Sequence, residues 1–115
     1  MSVEKRNFGF IAGKGDVEIY KITNDNGAFV ELMTLGAGVH SINVPDRNGN
    51  LGDVVLGFDS LENYIKNDIC YFGSTVGRNS NRVKNASFVL NGTTYNLDKN
   101  ERGKNDLHSG FNPYN

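Results

Sequence analysis

The sequence predicts an all-β protein with antiparallel strands. Short runs rich in β-branched and aromatic residues alternate with turn residues along most of the chain, as in all-β folds. Three Asn-Gly dipeptides lie between such runs, and this pair favours the tight turns of β-hairpins. We therefore expect an antiparallel β-sandwich or barrel that carries one short helix.

Six segments carry the β pattern. They are DVEIYKIT (16–23), AFVELMTL (28–35), GVHSINV (38–44), DVVLGF (53–58), YFGSTVG (71–77) and ASFVLNGTTYNL (86–97). Pro45 should close the third run, because proline has no N–H to donate to a neighbouring strand. The pairs that begin at Asn26, Asn48 and Asn91 should form type I′ turns, since asparagine and glycine tolerate positive φ.

The last run predicts a hairpin with a two-residue turn at Asn91-Gly92. Such a turn pairs Leu90 with Thr93 and Phe88 with Tyr95. One face of this hairpin would be apolar and buried, with the members Ala86, Phe88, Leu90, Tyr95 and Leu97. The other face should contact water.

One segment, DSLENYIKN (59–67), departs from the β pattern. Ser60 is a suitable N-cap, and Leu61, Tyr64 and Ile65 follow at helical spacing. We expect a single short helix here.

Length, charge and cysteine content limit the class of protein. A chain of 115 residues has the size of one domain, so we expect one domain over 1–115 with no internal boundary. Twelve basic and 13 acidic side chains without charged runs argue against binding to nucleic acid or a membrane surface and favour a small polar ligand. One cysteine, no apolar leader and no membrane-length apolar run predict a cytoplasmic protein.

Few residues are candidates for chemistry. The two histidines, His40 and His108, lie far apart in sequence, so we expect no metal site, and we interpret His40 as structural. The segment GRNSNR (77–82) places Arg78, Asn81 and Arg82 directly after a predicted strand, where rigid donors suit a ligand rich in hydroxyl groups. The alternative is that an arginine there pairs with a carboxylate and has only a structural role.

Three blocks of the sequence resemble the aldose 1-epimerase, or galactose mutarotase, family. They are TLGAGVHSINVPDRNGNLGDVVLGFDSLENYI, YFGSTVGRNSNRVKNASFVLNGTTYNL and NDLHSG, and the resemblance extends from about Asp16 to Gly110. It implies the antiparallel β-sandwich of galactose mutarotases, here as an incomplete N-terminal part. It also implies a cofactor-independent isomerase that interconverts the α and β anomers of free hexoses such as galactose and glucose.

The resemblance assigns residues as well. It implies that Arg82 and His108 contact the sugar with Asn81 beside them, whereas the acid histidine and base glutamate of the family would lie beyond Asn115. This chain would then hold part of the sugar site and no catalytic residue, and Ser109 stands where the family motif has a glycine. The chain could be an N-terminal fragment, or a short protein that pairs with a second polypeptide or with itself through exposed sheet edges. A non-catalytic carbohydrate-binding module is the alternative function.

Overall fold

The computed structural model describes residues 1–111 of the chain, which divides into two compact units, Met1–Thr75 (unit 1) and Val76–Asn115 (unit 2). Every strand pair is antiparallel, as predicted. Nothing in the structure tests the expectation of a single domain, which stays a prediction. Across residues 1–111, the structure contains no helix with the length and apolar character that crossing a membrane requires.

Unit 1 is built on a five-stranded sheet in the order β1-β2-β3-β4-β5. Its elements are β1 (Ser2–Ile11), β2 (Gly15–Thr23), β3 (Phe29–Met33), β4 (Gly38–Pro45), β5 (Leu51–Asp53) and the helix α1 (Leu61–Lys66), with 3-10 turns at Leu35–Ala37 and Asp68–Cys70. The first three predicted β runs are thus confirmed as β2, β3 and β4. Pro45 ends β4, as expected.

The sequence analysis missed the ten-residue strand β1. Its residues Ser2 to Asn7 are all exposed, and Glu4, Lys5 and Arg6 interrupt any alternation of polar and apolar positions. Charged residues are typical of edge strands, where they discourage pairing with other chains. β1 is such an edge strand, and its charged residues remove the alternation by which a strand is recognised in a sequence.

Two hairpin loops of the sheet share one construction. In the segments NDNGA (24–28) and DRNGN (46–50), the first side chain accepts hydrogen bonds from the backbone N–H groups two and four residues later. Only the glycine has positive φ, at 84° for Gly27 and 87° for Gly49. The predicted type I′ turns are therefore wrong at these two sites, because the Asn24 and Asp46 side chains support three-residue loops instead.

Two predicted strands are also wrong. Of segment 53–58 only Asp53 lies in a strand, because its carboxylate accepts hydrogen bonds from the N–H groups of Ile42 (2.9 Å) and Val55 (3.0 Å) and so ends the ladder. Segment 71–77 contains no strand. Its polar groups instead bond to the turn that precedes β4, with Thr75 Oγ1 donating to the carbonyl of Ala37 at 2.8 Å.

The core of unit 1 lies between the sheet and α1. It contains Val17, Ile19 and Met33 from the strands and Leu61 and Tyr64 from the helix. The predicted helix is confirmed, since Ser60 caps it by accepting a hydrogen bond from the N–H of Asn63. At these positions, the apolar spacing in sequence corresponds to burial in the structure.

The described part of unit 2, residues 76–111, has little regular structure. Its elements are β6 (Arg82–Val83), a 3-10 turn (Lys84–Ala86), β7 (Ser87–Leu90), β8 (Thr93–Asn96) and β9 (Asp106–Leu107). β7 and β8 form the predicted hairpin with the predicted register, and Asn91 (φ 50°) and Gly92 (φ 77°) both have positive φ, as a type I′ turn requires.

The apolar face of this hairpin is not buried as predicted. Phe88, Tyr95 and Leu90 are 43%, 45% and 54% exposed, and the rings of Phe88 and Tyr95 stack on each other. Only Ala86 is fully buried among the predicted members of this face. A unit of this size does not have enough chain to cover the face.

Candidate functional site

The three residues predicted to bind sugar come together in unit 2. β6 and β9 pair Arg82 with Leu107, which places Asn81 beside His108. The backbone N–H of Asn81 donates to Nδ1 of His108 at 3.1 Å, and the N–H of His108 donates to the carbonyl of Asn81 at 3.1 Å. Asn81 and His108, which are 27 positions apart in sequence, thus meet at the end of one short ladder.

Left-handed backbone conformations shape this end of the ladder. Asn81 has φ 63° and His108 has φ 55°. Asparagine and histidine are enriched in this region of φ/ψ space relative to other residues with a side chain. The chain therefore turns at Asn81 just before β6 and at His108 just after β9, at the same end of the β6–β9 pairing.

The hydrogen bond from Asn81 also determines the tautomer of the neutral His108 ring. Because Nδ1 accepts a hydrogen bond from the backbone N–H of Asn81, it carries no hydrogen of its own in this arrangement. In the neutral imidazole the hydrogen is then on Nε2, which becomes a donor. A ligand that meets Nε2 would have to offer an acceptor, such as a hydroxyl or ring oxygen.

Arg82 is held from two sides. Its Nε donates to Glu101 Oε1 at 3.3 Å and its Nη1 donates to Asn81 Oδ1 at 3.2 Å. The Glu101 side chain is 13% exposed and the Arg82 side chain 53% exposed. The guanidinium has five N–H donors, so the two held ones fix its plane while others can donate to a ligand.

Glu101 is an anchor for this arginine. Its other oxygen accepts a hydrogen bond from Asn105 Nδ2 at 2.8 Å. The hydrogen bond from Asn105 and, to a smaller extent, the hydrogen bond from Arg82 lower the pKa of Glu101 from its ordinary value. Both bonds favour the ionised carboxylate. Part of the alternative interpretation of GRNSNR is therefore present, since one arginine does pair with a carboxylate.

A second asparagine holds the backbone around His108. Asn100 Nδ2 donates to the carbonyls of Leu107 (2.8 Å) and Gly110 (2.9 Å), and its Oδ1 accepts from the N–H of Leu107 (2.7 Å). Gly110 has φ 81°, and a Cβ there would overlap the carboxylate of Asp98. The segment from 107 to 110 thus follows a path fixed on both sides of His108.

Three residues that the sequence analysis did not select lie next to the site. They are Asn79, Asp106 and Ser109, and Asn79 forms hydrogen bonds with each of the other two. Asn79, Asp106 and Ser109 line, with Arg78, a cleft of about 240 Å³ that none of the three predicted residues lines. Of the three, the sequence analysis noted only Ser109, because it stands where the family motif has a glycine.

His40 lies in unit 1. Its Nδ1 is 3.1 Å from the hydroxyl of Tyr64, and its ring packs against that of Phe8 with 5.0 Å between centroids. This packing agrees with its interpretation as structural. Among residues 1–111, the structure contains no group of three or more His, Cys, Asp or Glu side chains that could hold a metal ion.

Comparison with known proteins gives consistent matches. A family model described as Aldose 1-epimerase matches residues 18–114. Galactose mutarotase of Bos taurus is 40% identical over 111 residues, which cover 96% of this chain and 32% of that protein. A protein of Arthroderma benhamiae named probable aldose 1-epimerase is 41% identical over 103 residues, which cover 86% of this chain and 23% of that protein.

A solved structure is similar as well. The crystal structure of an aldose epimerase homologue from C. elegans matches with a TM-score of 0.74 and 35% identity, over 84% of this chain and 29% of that chain. The predicted fold class, a partial antiparallel β-fold of the galactose mutarotase type, is thereby confirmed. The chain spans about a quarter to a third of the length of these relatives.

Proposed function

Because the chain belongs to the aldose 1-epimerase family, we propose that it is part of an isomerase that interconverts the α and β anomers of free hexoses such as galactose and glucose. In this proposal, Asn81, Arg82 and His108 bind the sugar. The observation that carries it is the mutual fixing of these three residues, in which Asn81 bonds to both of the others. The cytoplasmic location remains a prediction from the sequence.

The reaction requires two proton carriers on one sugar. A base removes the proton of the anomeric hydroxyl while an acid protonates the ring oxygen, so that the C1–O5 bond breaks and a free aldehyde forms. The carbonyl group then rotates, and the two steps reverse to give the other anomer. We propose that the acid histidine and base glutamate come from sequence beyond Asn115.

The residues of this chain would bind and orient the hexose. The guanidinium of Arg82 can donate charge-assisted hydrogen bonds to sugar oxygens and stabilise negative charge that develops on them. His108, held by Asn81 at Nδ1, would contact the sugar through its ring. Since Glu101 and Asn81 already hold the arginine, less side-chain entropy is lost when the sugar binds.

Sugar binding can be tested on this chain with amide NMR titrations. We expect D-galactose to cause saturable shifts at residues 79–82 and 107–109, and Arg82→Ala to weaken binding about tenfold through the loss of a charge-assisted hydrogen bond. Lys84→Ala, at an exposed position in the same unit, is the matched control and should bind like the original chain. Unchanged affinity in both Arg82→Ala and His108→Ala would refute the assignment.

A carbohydrate-binding module is the second candidate function. It is favoured by the fact that all three candidate residues lie in one compact unit and are held by residues of that unit. Polarimetry of freshly dissolved α-D-galactose separates the two functions. Sugar binding without faster equilibration of the anomers, both by this chain and by a protein that also carries the sequence beyond Asn115, supports a module, whereas acceleration by the longer protein supports the isomerase.

A further inference from the structure

We propose that Asn79, Asp106 and Ser109, together called the Asn79 clamp, position Asn81 and His108 for sugar binding. This inference rests on the proposed function, because it assigns a positioning role to residues beside the proposed sugar site. None of the three needs to touch the sugar. The clamp acts on the two backbone segments that carry the binding residues.

Ser109 is bonded to Asn79 at several atoms. Its hydroxyl accepts a hydrogen bond from the backbone N–H of Asn79 at 2.7 Å. Its single hydrogen lies within reach of two acceptors on Asn79, the carbonyl at 3.1 Å and the side-chain Oδ1 at 3.0 Å. One hydroxyl therefore fixes both the backbone and the side chain of Asn79.

Asp106 completes the clamp from the other side. It is 2% exposed, and its Oδ1 accepts a hydrogen bond from Asn79 Nδ2 at 3.1 Å. A buried carboxylate requires hydrogen-bond donors, because burial removes its water. Asn79 therefore has both ends of its amide group engaged, Oδ1 with Ser109 and Nδ2 with Asp106.

The backbone at Ser109 supports a specific role for the hydroxyl. Ser109 has φ 71°, a left-handed conformation that glycine adopts without steric cost and serine does not. A serine at this position is strained locally and gains the hydrogen bonds to Asn79 in return. Strained residues held by their surroundings are common at functional sites.

The clamp lies where the β6–β9 ladder needs support. That ladder has only two residue pairs, too few to be stable alone. Next to it, the N–H of His108 donates to the carbonyl of Asn81 and the N–H of Asn81 donates to the His108 side chain. Asn79 and Ser109 close it one step further, so that the pair of sugar-binding residues is held between the ladder and the clamp.

Two variants of the 115-residue chain test this role. Ser109→Ala removes the hydroxyl and keeps the Cβ, while Ser109→Gly also relieves the strained φ and remains informative if Ser109→Ala fails to fold. In both we expect about tenfold faster hydrogen exchange at the amides of Asn81 and His108 and about tenfold weaker binding of D-galactose. Ser80→Ala, an exposed serine in the same loop, should change neither quantity.

The outcomes separate the clamp from the proposed function. Unchanged hydrogen exchange at Asn81 and His108 in both Ser109 variants would overturn the clamp. Equal acceleration of exchange at every amide of unit 2 would also overturn it, since the role would then be general stabilisation. If the original chain bound no galactose, the proposed function would fail, while selective acceleration at Asn81 and His108 would still support the clamp as a device that fixes these two segments.

Discussion

The two units differ in the interactions that stabilise each of them internally. Unit 1 buries apolar side chains from a sheet and a helix against each other. In the described part of unit 2, Ala86 is the only fully buried hydrophobic residue, and Asp106 is buried as deeply. Asparagine and aspartate side chains hold its segments through hydrogen bonds to backbone groups, so the proposed binding residues lie in the unit where hydrogen bonds set the positions.

The largest effect is expected from the core of unit 1. Ile19 is fully buried, and Ile19→Ala should lower the free energy of unfolding by about 2–5 kcal/mol, because it removes apolar contacts and leaves a cavity. Urea unfolding, followed through amide signals of unit 1, measures this change. Ile19→Val is the matched control and should cost only about 0.5–1.5 kcal/mol. Equal costs for the two variants would show that unit 1 does not depend on apolar packing at this site.

A smaller effect is expected from the polar network of unit 2. Asn100→Ala removes three hydrogen bonds to the backbone and should destabilise unit 2 by about 1–3 kcal/mol, since it leaves backbone groups without partners. The measurement is urea unfolding followed through amide signals of residues 105–110. Lys99→Ala, at the exposed neighbouring position, should have little effect. If both variants behaved alike, the difference between the two units would disappear.

The smallest effect is a difference in pH dependence. Burial lowers the pKa of His40, although Glu31 opposes this shift, so the folded chain binds fewer protons there than the unfolded chain. The stability of unit 1 should therefore fall as the pH drops below about 6.5. In unit 2, hydrogen bonds lower the pKa of Glu101, so its contribution should persist to lower pH and be lost only below about pH 4.3.

Two variants measure these windows. His40→Gln should flatten the pH dependence of unit 1 in urea unfolding between about pH 7 and pH 5, and Glu101→Gln should flatten that of unit 2 below about pH 4.3. A dependence that persisted in His40→Gln over its window would assign the effect to another group. The same result for Glu101→Gln would remove the carboxylate from its proposed role as anchor of Arg82.

Sequence reasoning was most successful where local rules decide the structure. The cap at Ser60, the end of β4 at Pro45 and the hairpin around Asn91 all follow from the preferences of single residues. The errors at 53–58 and 71–77 arose because side chains such as Asp53 and Thr75 bond to a distant backbone. Such bonds have no sequence period by which they could be recognised.

The site was predicted in part for the same reason. Asn81 and Arg82 were candidates from the pattern of GRNSNR, the resemblance to a family added His108, and the structure brings the three together. Asn79, Asp106 and Asn100 were not selected, because an asparagine that holds a backbone from a distance looks like any loop asparagine. Only the fold shows which backbone groups such a side chain can reach.

The matching loops NDNGA and DRNGN have a practical consequence. Because each loop is closed by its own first side chain and its own glycine, its shape depends little on the strands at either end. We therefore expect each loop sequence to form the same turn in the place of the other. An exchange of their sequences should therefore keep both corners of the sheet intact.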